Sequence, residues 1–302
     1  VSAKYKMDLK NIGENIRIIR KSKRISQKKL CQGICSQAQL SKIENGELEP
    51  QASMLYFIAD RLGVDINHLF SLGQTDRFDY VTDLYELIEG YTNNHEYQNL
   101  YDLIQSEKNN PLFQNSKYQR YLSWHEGICI YYLDHNFAHA LSYIQNSINQ
   151  EFMTEQDIQM LNSIGVLYCE EYQLEEALAY FENGLQYYYK LPVQSNHKIL
   201  VRILYNYAVT LTRLQLFEKS IKECHTAVNV CLKHYSTFSL GELFYHIGYN
   251  YSLINEITKA KSYYEKSISL FEITDNRIFA QHAINKISEL NPDFHTDESK
   301  VN

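Results

Sequence analysis

The feature that most constrains this 302-residue chain is an internal repeat. The run Leu161-Asn162-Ser163-Ile164-Gly165-Val166-Leu167-Tyr168 is followed by Leu174-Glu175-Glu176-Ala177 and Phe181. Leu204-Tyr205-Asn206-Tyr207-Ala208-Val209 leads in the same way to Ser220 and Cys224, and Phe244-Tyr245-His246-Ile247-Gly248-Tyr249 leads to Ala260 and Tyr264. Trp124 to Gly127, with Phe137, Ala140 and Ile144, forms another copy; Leu87-Ile88, with Tyr97, Leu100 and Ile104, forms a fainter one. The landmark of each second segment falls at 100, 140, 177, 220 and 260. Small residues such as Gly165, Ala208 and Gly248 let paired helices approach closely, and large ones such as Phe181 and Tyr264 fill the space between. Each helix pair then leaves an apolar face that only a neighbouring pair can cover, which dictates a stack.

The spacings exceed the roughly 34 residues of a regular tetratricopeptide repeat, yet the internal layout is similar to that repeat. The predicted architecture is all-α: a separate N-terminal module over 1–70, a linker over 71–79, and five degenerate repeats over 80–275 in a right-handed solenoid. A capping helix over 276–290 and a polar tail over 291–302 complete it. The 26 tyrosines are read as packing elements and not as cofactor contacts.

Charge sets the first seventy residues apart. They carry 12 Lys/Arg against 7 Asp/Glu, although the whole chain has a net charge of −7. A basic module on an acidic body implies that one part alone meets a polyanion. Leu9, Ile12, Ile16 and Ile19 recur at helical spacing. Ser26 is placed to cap a second helix, Ser36 a third that Gly46 ends, and Pro50 opens a loop before a helix carrying Leu55, Ile58, Ala59 and Leu62. A fifth short helix is expected from Asp65 to Phe70.

This order resembles the Cro/repressor-type helix-turn-helix, except that the turn glycine is displaced and the connection between the second and third helices is short. Leu40 and Ile43 must face the core, so Ser36, Gln37, Gln39, Ser41, Lys42 and Asn45 project outward. The resemblance puts the third helix in the major groove. Gln37 and Gln39 are candidates for bidentate adenine contacts; Ser36, Lys42, Gln27 and Lys28 are candidates for phosphate.

Solenoids of this type bind extended peptides along the first helices of their pairs. Register puts Asn162, Val166 and Cys169 on that face, then Tyr205, Asn206 and Val209, then Tyr245, His246 and Tyr249. An asparagine amide can both donate to and accept from a peptide backbone, whatever the side chain there.

The combination resembles the Gram-positive peptide-pheromone regulators, the Rap/Npr/Plc/Prg group, and within it the PlcR-type activators. The resemblance implies a cytoplasmic homodimer on a palindromic double-stranded operator, controlled by a short signalling peptide. It also implies that Asn162 and Asn206 hold the peptide backbone, with His246 where the family can carry glutamine. The acidic start of the first repeat (Asp76, Asp79, Asp83, Glu86, Glu89) differs from those relatives and suggests a less acidic ligand.

No apolar run is long enough to span a membrane, and the first residues lack a signal core. No phosphate loop, dinucleotide fingerprint, nucleophile elbow or metalloprotease motif occurs, so an enzyme is not expected, nor any cofactor. His135 and His139 alone make a weak metal pair. Six scattered cysteines read as buried reduced thiols. A phosphorelay partner for the repeats, or a thiol response, are the alternatives to a peptide.

Overall fold

The computed structural model describes residues 9–66, 69, 78–149 and 151–290. Residues 1–8, most of the expected 71–79 linker, part of the expected fifth helix and the 291–302 tail lie outside them. All regular elements among the described residues are helical, and the chain divides into two compact units between Gln119 and Arg120.

The first four helices are α1 (Leu9–Ser22), α2 (Gln27–Cys31), α3 (Gln37–Glu44) and α4 (Ala52–Leu62). Their inward faces, including Ile12, Ile16, Leu30, Leu40, Ile43, Ile58 and Leu62, form one core of nearly inaccessible side chains. Ser26 Oγ accepts from the Lys29 amide and starts α2. The turn after α2 uses Gly33 at φ 74°, a conformation glycine adopts without a Cβ clash. Arg61 of α4 donates to the carbonyls of Leu30 and Gln32, which α2 leaves without helical partners. Gly13 lies directly against the Ile43 carbonyl, so any side chain there would push α1 off α3.

The remaining helices come in pairs. They are α5 (Phe78–Asn93) with α6 (Tyr97–Glu107), α7 (Ser116–Asp134) with α8 (Phe137–Ser147), and α9 (Glu155–Glu170) with α10 (Leu174–Lys190). Then follow α11 (His197–Arg213) with α12 (Phe217–Lys233), α13 (Leu240–Leu253) with α14 (Ile257–Ile273), and the terminal α15 (Arg277–Glu289). The landmarks Leu100, Ala140, Ala177, Ser220 and Ala260 each occupy the fourth position of a second helix, and each is 0% exposed.

The turns share one device. Two residues before each second helix, and before α15, the chain adopts left-handed backbone at His95, His135, Tyr172, Gln215, Asn255 and Asp275. In five of the six the next amide reaches back to a carbonyl five residues earlier, as in Gln173 to Tyr168 and Leu216 to Leu211 at 2.9 Å each. These are Schellman closures made without glycine.

Within the second unit, each second helix packs on the first helix of the following pair, and the first helices α9, α11 and α13 also touch in sequence. Small faces large throughout. A Cβ on Gly165 would come within 2.6 Å of the Phe181 ring, and one on Gly248 within 3.1 Å of Tyr264. Phe181 and Tyr264 are fully buried, and each such side chain contributes about 2–3 kcal/mol of hydrophobic burial.

Candidate functional site

The N-terminal unit presents a polar cleft of about 480 Å³ whose walls include Arg17, Lys21, Gln27, Lys28, Gln37 and Ser41. Three elements meet there because of a buried clasp. Arg20 Nε and Nη2 donate to the two carboxylate oxygens of Glu44 at 2.6 and 2.8 Å, and Nη1 donates to the Ile25 carbonyl at 2.9 Å. Gln27 Nε2 donates to Glu44 Oε2 at 2.8 Å. Burial alone would raise the Glu44 carboxyl, but the hydrogen bonds from Arg20 and Gln27 and the charges of Arg20 and Arg17 outweigh it and hold it below its ordinary value. The clasp fixes α3 against α1 and α2 with its first turn outward.

The polar residues expected on α3 divide into two sets. Ser36 Oγ accepts the Gln39 amide at 3.2 Å, and Gln39 Oε1 accepts the Ser36 amide at 3.0 Å. Both side chains therefore cap the helix. Gln37, in the first turn, is exposed and makes no such bond, and Lys28 and Lys42 are exposed cations. Ser41 is half-buried on the cleft wall. Asn45 is exposed and donates to Glu47 at 3.4 Å. Gln27 is tied into the clasp, a role that its position at a helix start did not announce. Arg17 and Lys21 complete the basic rim.

In the second unit, Asn162 of α9 and Asn206 of α11 meet: Asn206 Nδ2 donates to Asn162 Oδ1 at 3.0 Å. Asn162 is 6% exposed and Asn206 is half-buried. Val166, Val209, Tyr205, Tyr245 and Tyr249 are half-buried on the same helices or on α13. Tyr205 lies 5.8 Å from the His246 ring, and Tyr245 lies 5.3 Å from Tyr264, edge to face in both cases. Trp124 of α7, which the register argument left out, donates through Nε1 to Ser163 Oγ at 3.0 Å beside Asn162.

Like Asn162, two further residues expected on the groove face are buried. Cys169 is buried, and its sulfur accepts from Thr210 Oγ1 at 3.2 Å. His246 is 7% exposed, with Nε2 2.9 Å from Thr212 Oγ1 and 3.3 Å from Ser220 Oγ. Thr212 donates to Asn250 Oδ1 at 2.8 Å, and Asn250 Nδ2 donates to the His246 carbonyl at 2.8 Å. Thr212 Oγ1 also lies 3.1 Å from the Ala208 carbonyl and 2.9 Å from Ser220 Oγ, and Ser220 donates to the same carbonyl at 2.8 Å, so the imidazole sits within a buried polar cluster. Burial pushes His246 down to about 4. The small Ser220 leaves the space the imidazole fills.

All six cysteines are free, and five are buried. Burial pushes Cys129 up to about 12 and Cys231 up to about 11, which disfavours the reactive thiolate. Asp83, Glu86 and Glu89 are exposed on α5; Asp76 and the Asp79 side chain lie outside the described residues. Among the described residues no group of three metal-ligating side chains occurs, and no helix is long and apolar enough to cross a membrane.

Residues 85–290 match the family model described as the RNPP family C-terminal domain, and residues 16–69 match the helix-turn-helix model HTH_3. No curated protein sequence matches the chain at a significant level. Among solved structures, PlcR of Bacillus thuringiensis in complex with the peptide PapR7 and DNA superposes with a TM-score of 0.84 at 22% identity, covering 91% of this chain and 99% of that one. The SHP pheromone receptor Rgg2 of Streptococcus dysgalactiae gives 0.62 at 14% identity, covering 92% and 99%. ComR of S. thermophilus in complex with DNA and its signalling peptide ComS gives 0.56 at 16% identity, covering 92% and 99%.

Proposed function

Because the chain belongs to the RNPP family, we propose that it is a sequence-specific transcriptional regulator, an activator, switched by a short signalling peptide. The observation that carries the reading is the Asn162–Asn206 pair at the meeting of two first helices of the repeat domain, in the same chain as a helix-turn-helix with an exposed Gln37. The paired amides keep one donor group, Asn162 Nδ2, and acceptor capacity on Asn206 Oδ1. That is the complement of one peptide backbone unit.

The 1–70 module reads DNA through Gln37, with Lys28, Lys42 and the Arg17–Lys21 rim on phosphate. The repeats over 80–275, with the 276–290 cap, hold the peptide and the second protomer. The protein works as a homodimer in the cytoplasm on a palindromic operator, and peptide shifts the dimer toward DNA only by its greater affinity for the operator-competent arrangement. The PlcR and ComR complexes with peptide and DNA support both partners. The high thiol pKa values favour a peptide over an oxidant as the signal.

Genome-wide recovery of chromatin bound by the protein, with and without the peptide fraction of spent culture medium, tests the reading. Recovery of one inverted-repeat sequence, enriched by that fraction, is expected. Scattered recovery indifferent to the fraction would refute it.

A further inference from the structure

The face of α11 that carries Asn206 and Val209 also carries Arg202 and Lys198, at successive helical turns. Both cations lie over a single ring, that of Phe238 in the connection before α13, with Lys198 Nζ at 5.5 Å and the Arg202 guanidinium at 5.6 Å from its centroid. Among the described residues neither makes an ion pair, although Arg213, further along the same face, is paired with Glu170 at 3.0 Å. Glu242 of α13 lies close enough to help raise the Tyr205 phenol, after burial, yet it pairs with neither cation. Arg202 is half-buried. Its charge also reaches the buried imidazole of His125 on α7, helping burial hold that ring at about 4.

Two like charges one helical turn apart disfavour each other, and a half-buried guanidinium without a carboxylate forgoes its best partner. Phe238 lies under the charged ends of both side chains, and Arg202 stands one helical turn before Asn206 on α11. The arrangement suits an incoming planar anion arriving with a peptide backbone already held by the asparagines.

Resting on the peptide-receptor reading, we propose that Arg202 receives a carboxylate of the bound peptide, assisted by Lys198, one helical turn from the Asn206 that holds the backbone. The carboxylate is either the free C-terminus or an Asp/Glu side chain at that register. Arg202 is thus the specificity-determining residue of the groove. One such carboxylate at one end is compatible with a ligand that is otherwise not acidic.

The test uses immobilised full-length protein and pools of short random-sequence peptides, made with free or amidated C-termini and with or without Asp and Glu. Retained peptides are identified by mass spectrometry. Wild type should retain the pool lacking every carboxylate at least about tenfold less well than the others, the size of one charge-assisted hydrogen bond. Arg202→Gln should erase that preference while still retaining peptides, and Arg202→Lys should keep part of it. Loss on amidation alone assigns the C-terminus; loss on removing Asp and Glu alone assigns a side chain. If Arg202→Gln discriminates like wild type, or wild type does not discriminate, the assignment of Arg202 falls while the receptor reading stands. If wild type retains no pool better than Asn206→Ala does, the receptor reading falls and takes the assignment with it.

Discussion

Asn206 donates to Asn162 across two helices, Nδ2 to Oδ1 at 3.0 Å, so the two amides act as a unit. Removing either leaves the other, buried at Asn162 and half-buried at Asn206, without its partner, and under the proposed function it also removes a peptide contact. Asn162→Ala and Asn206→Ala are each expected to weaken peptide binding by about 1–3 kcal/mol. The double variant should lose clearly less than the sum, because the second substitution acts on a pair already broken. Calorimetric titration of the four proteins with the peptide recovered from the native source measures the coupling. Strict additivity would mean that the two residues act separately.

Gln37 and Gln39 lie two residues apart and have different work. Gln37→Ala should weaken specific operator binding by about 1–3 kcal/mol and leave the melting temperature unchanged. Gln39→Ala removes half of a capping box and should lower the stability of the N-terminal unit by up to about 1 kcal/mol. Mobility shifts and thermal melts on the same preparations separate the two. A loss of specificity confined to Gln39→Ala would reverse the assignment.

The repeat was legible because packing writes itself into sequence period. Gly165 faces Phe181 and Gly248 faces Tyr264 as their spacing required, and the five landmarks are inaccessible. The turns were not legible, since Tyr172 and Gln215 carry no signal for left-handed backbone; the reach-back hydrogen bond and the buried helix that follows impose it. At the sites, exposure pattern alone could not separate Gln37 from Gln39, although Ser36 and Gln39 stand at capping-box spacing. His246 lies next to Tyr245 on the same arc of helix. What buries it is the small Ser220 on another helix, a fact of tertiary packing that no local register contains. The Arg20–Glu44 clasp joins residues 24 apart, beyond the reach of any helical period.

That clasp gives the third prediction. Arg20 and Glu44 are 9% and 4% exposed, so Glu44→Ala leaves a buried guanidinium without its anion. The expected loss is about 3 kcal/mol or more for the N-terminal unit, with a matching loss of operator binding. Replacing both partners, Arg20→Met with Glu44→Leu, should recover much of the stability, because no charge then remains buried. Urea unfolding followed by hydrogen exchange of α1 and α3 amides reads this out. An unchanged protection pattern in Glu44→Ala would show that the clasp does not hold α3 in place.

His246 makes the protein sensitive to acid. Its folded value of about 4 lies below the roughly 6.5 of an unfolded chain. Between those values the unfolded state binds a proton that the folded state refuses, so stability is full above about pH 6.5 and declines as pH falls toward 4. At pH 5 the cost is about 2 kcal/mol for this residue. His125, also buried and also at about 4, contributes in the same direction. Glu44 does not share this window. Held below its ordinary value, it loses its contribution only as pH falls below about 4. His246→Gln keeps a polar amide beside Thr212 without a group that titrates. It should therefore flatten the stability decline between pH 7 and 5 by at most about half, leaving the shares of His125 and of His197 and His225, which burial also pushes down. Denaturant midpoints measured across that range decide it. An identical slope in wild type and variant would place the acid sensitivity elsewhere in the chain.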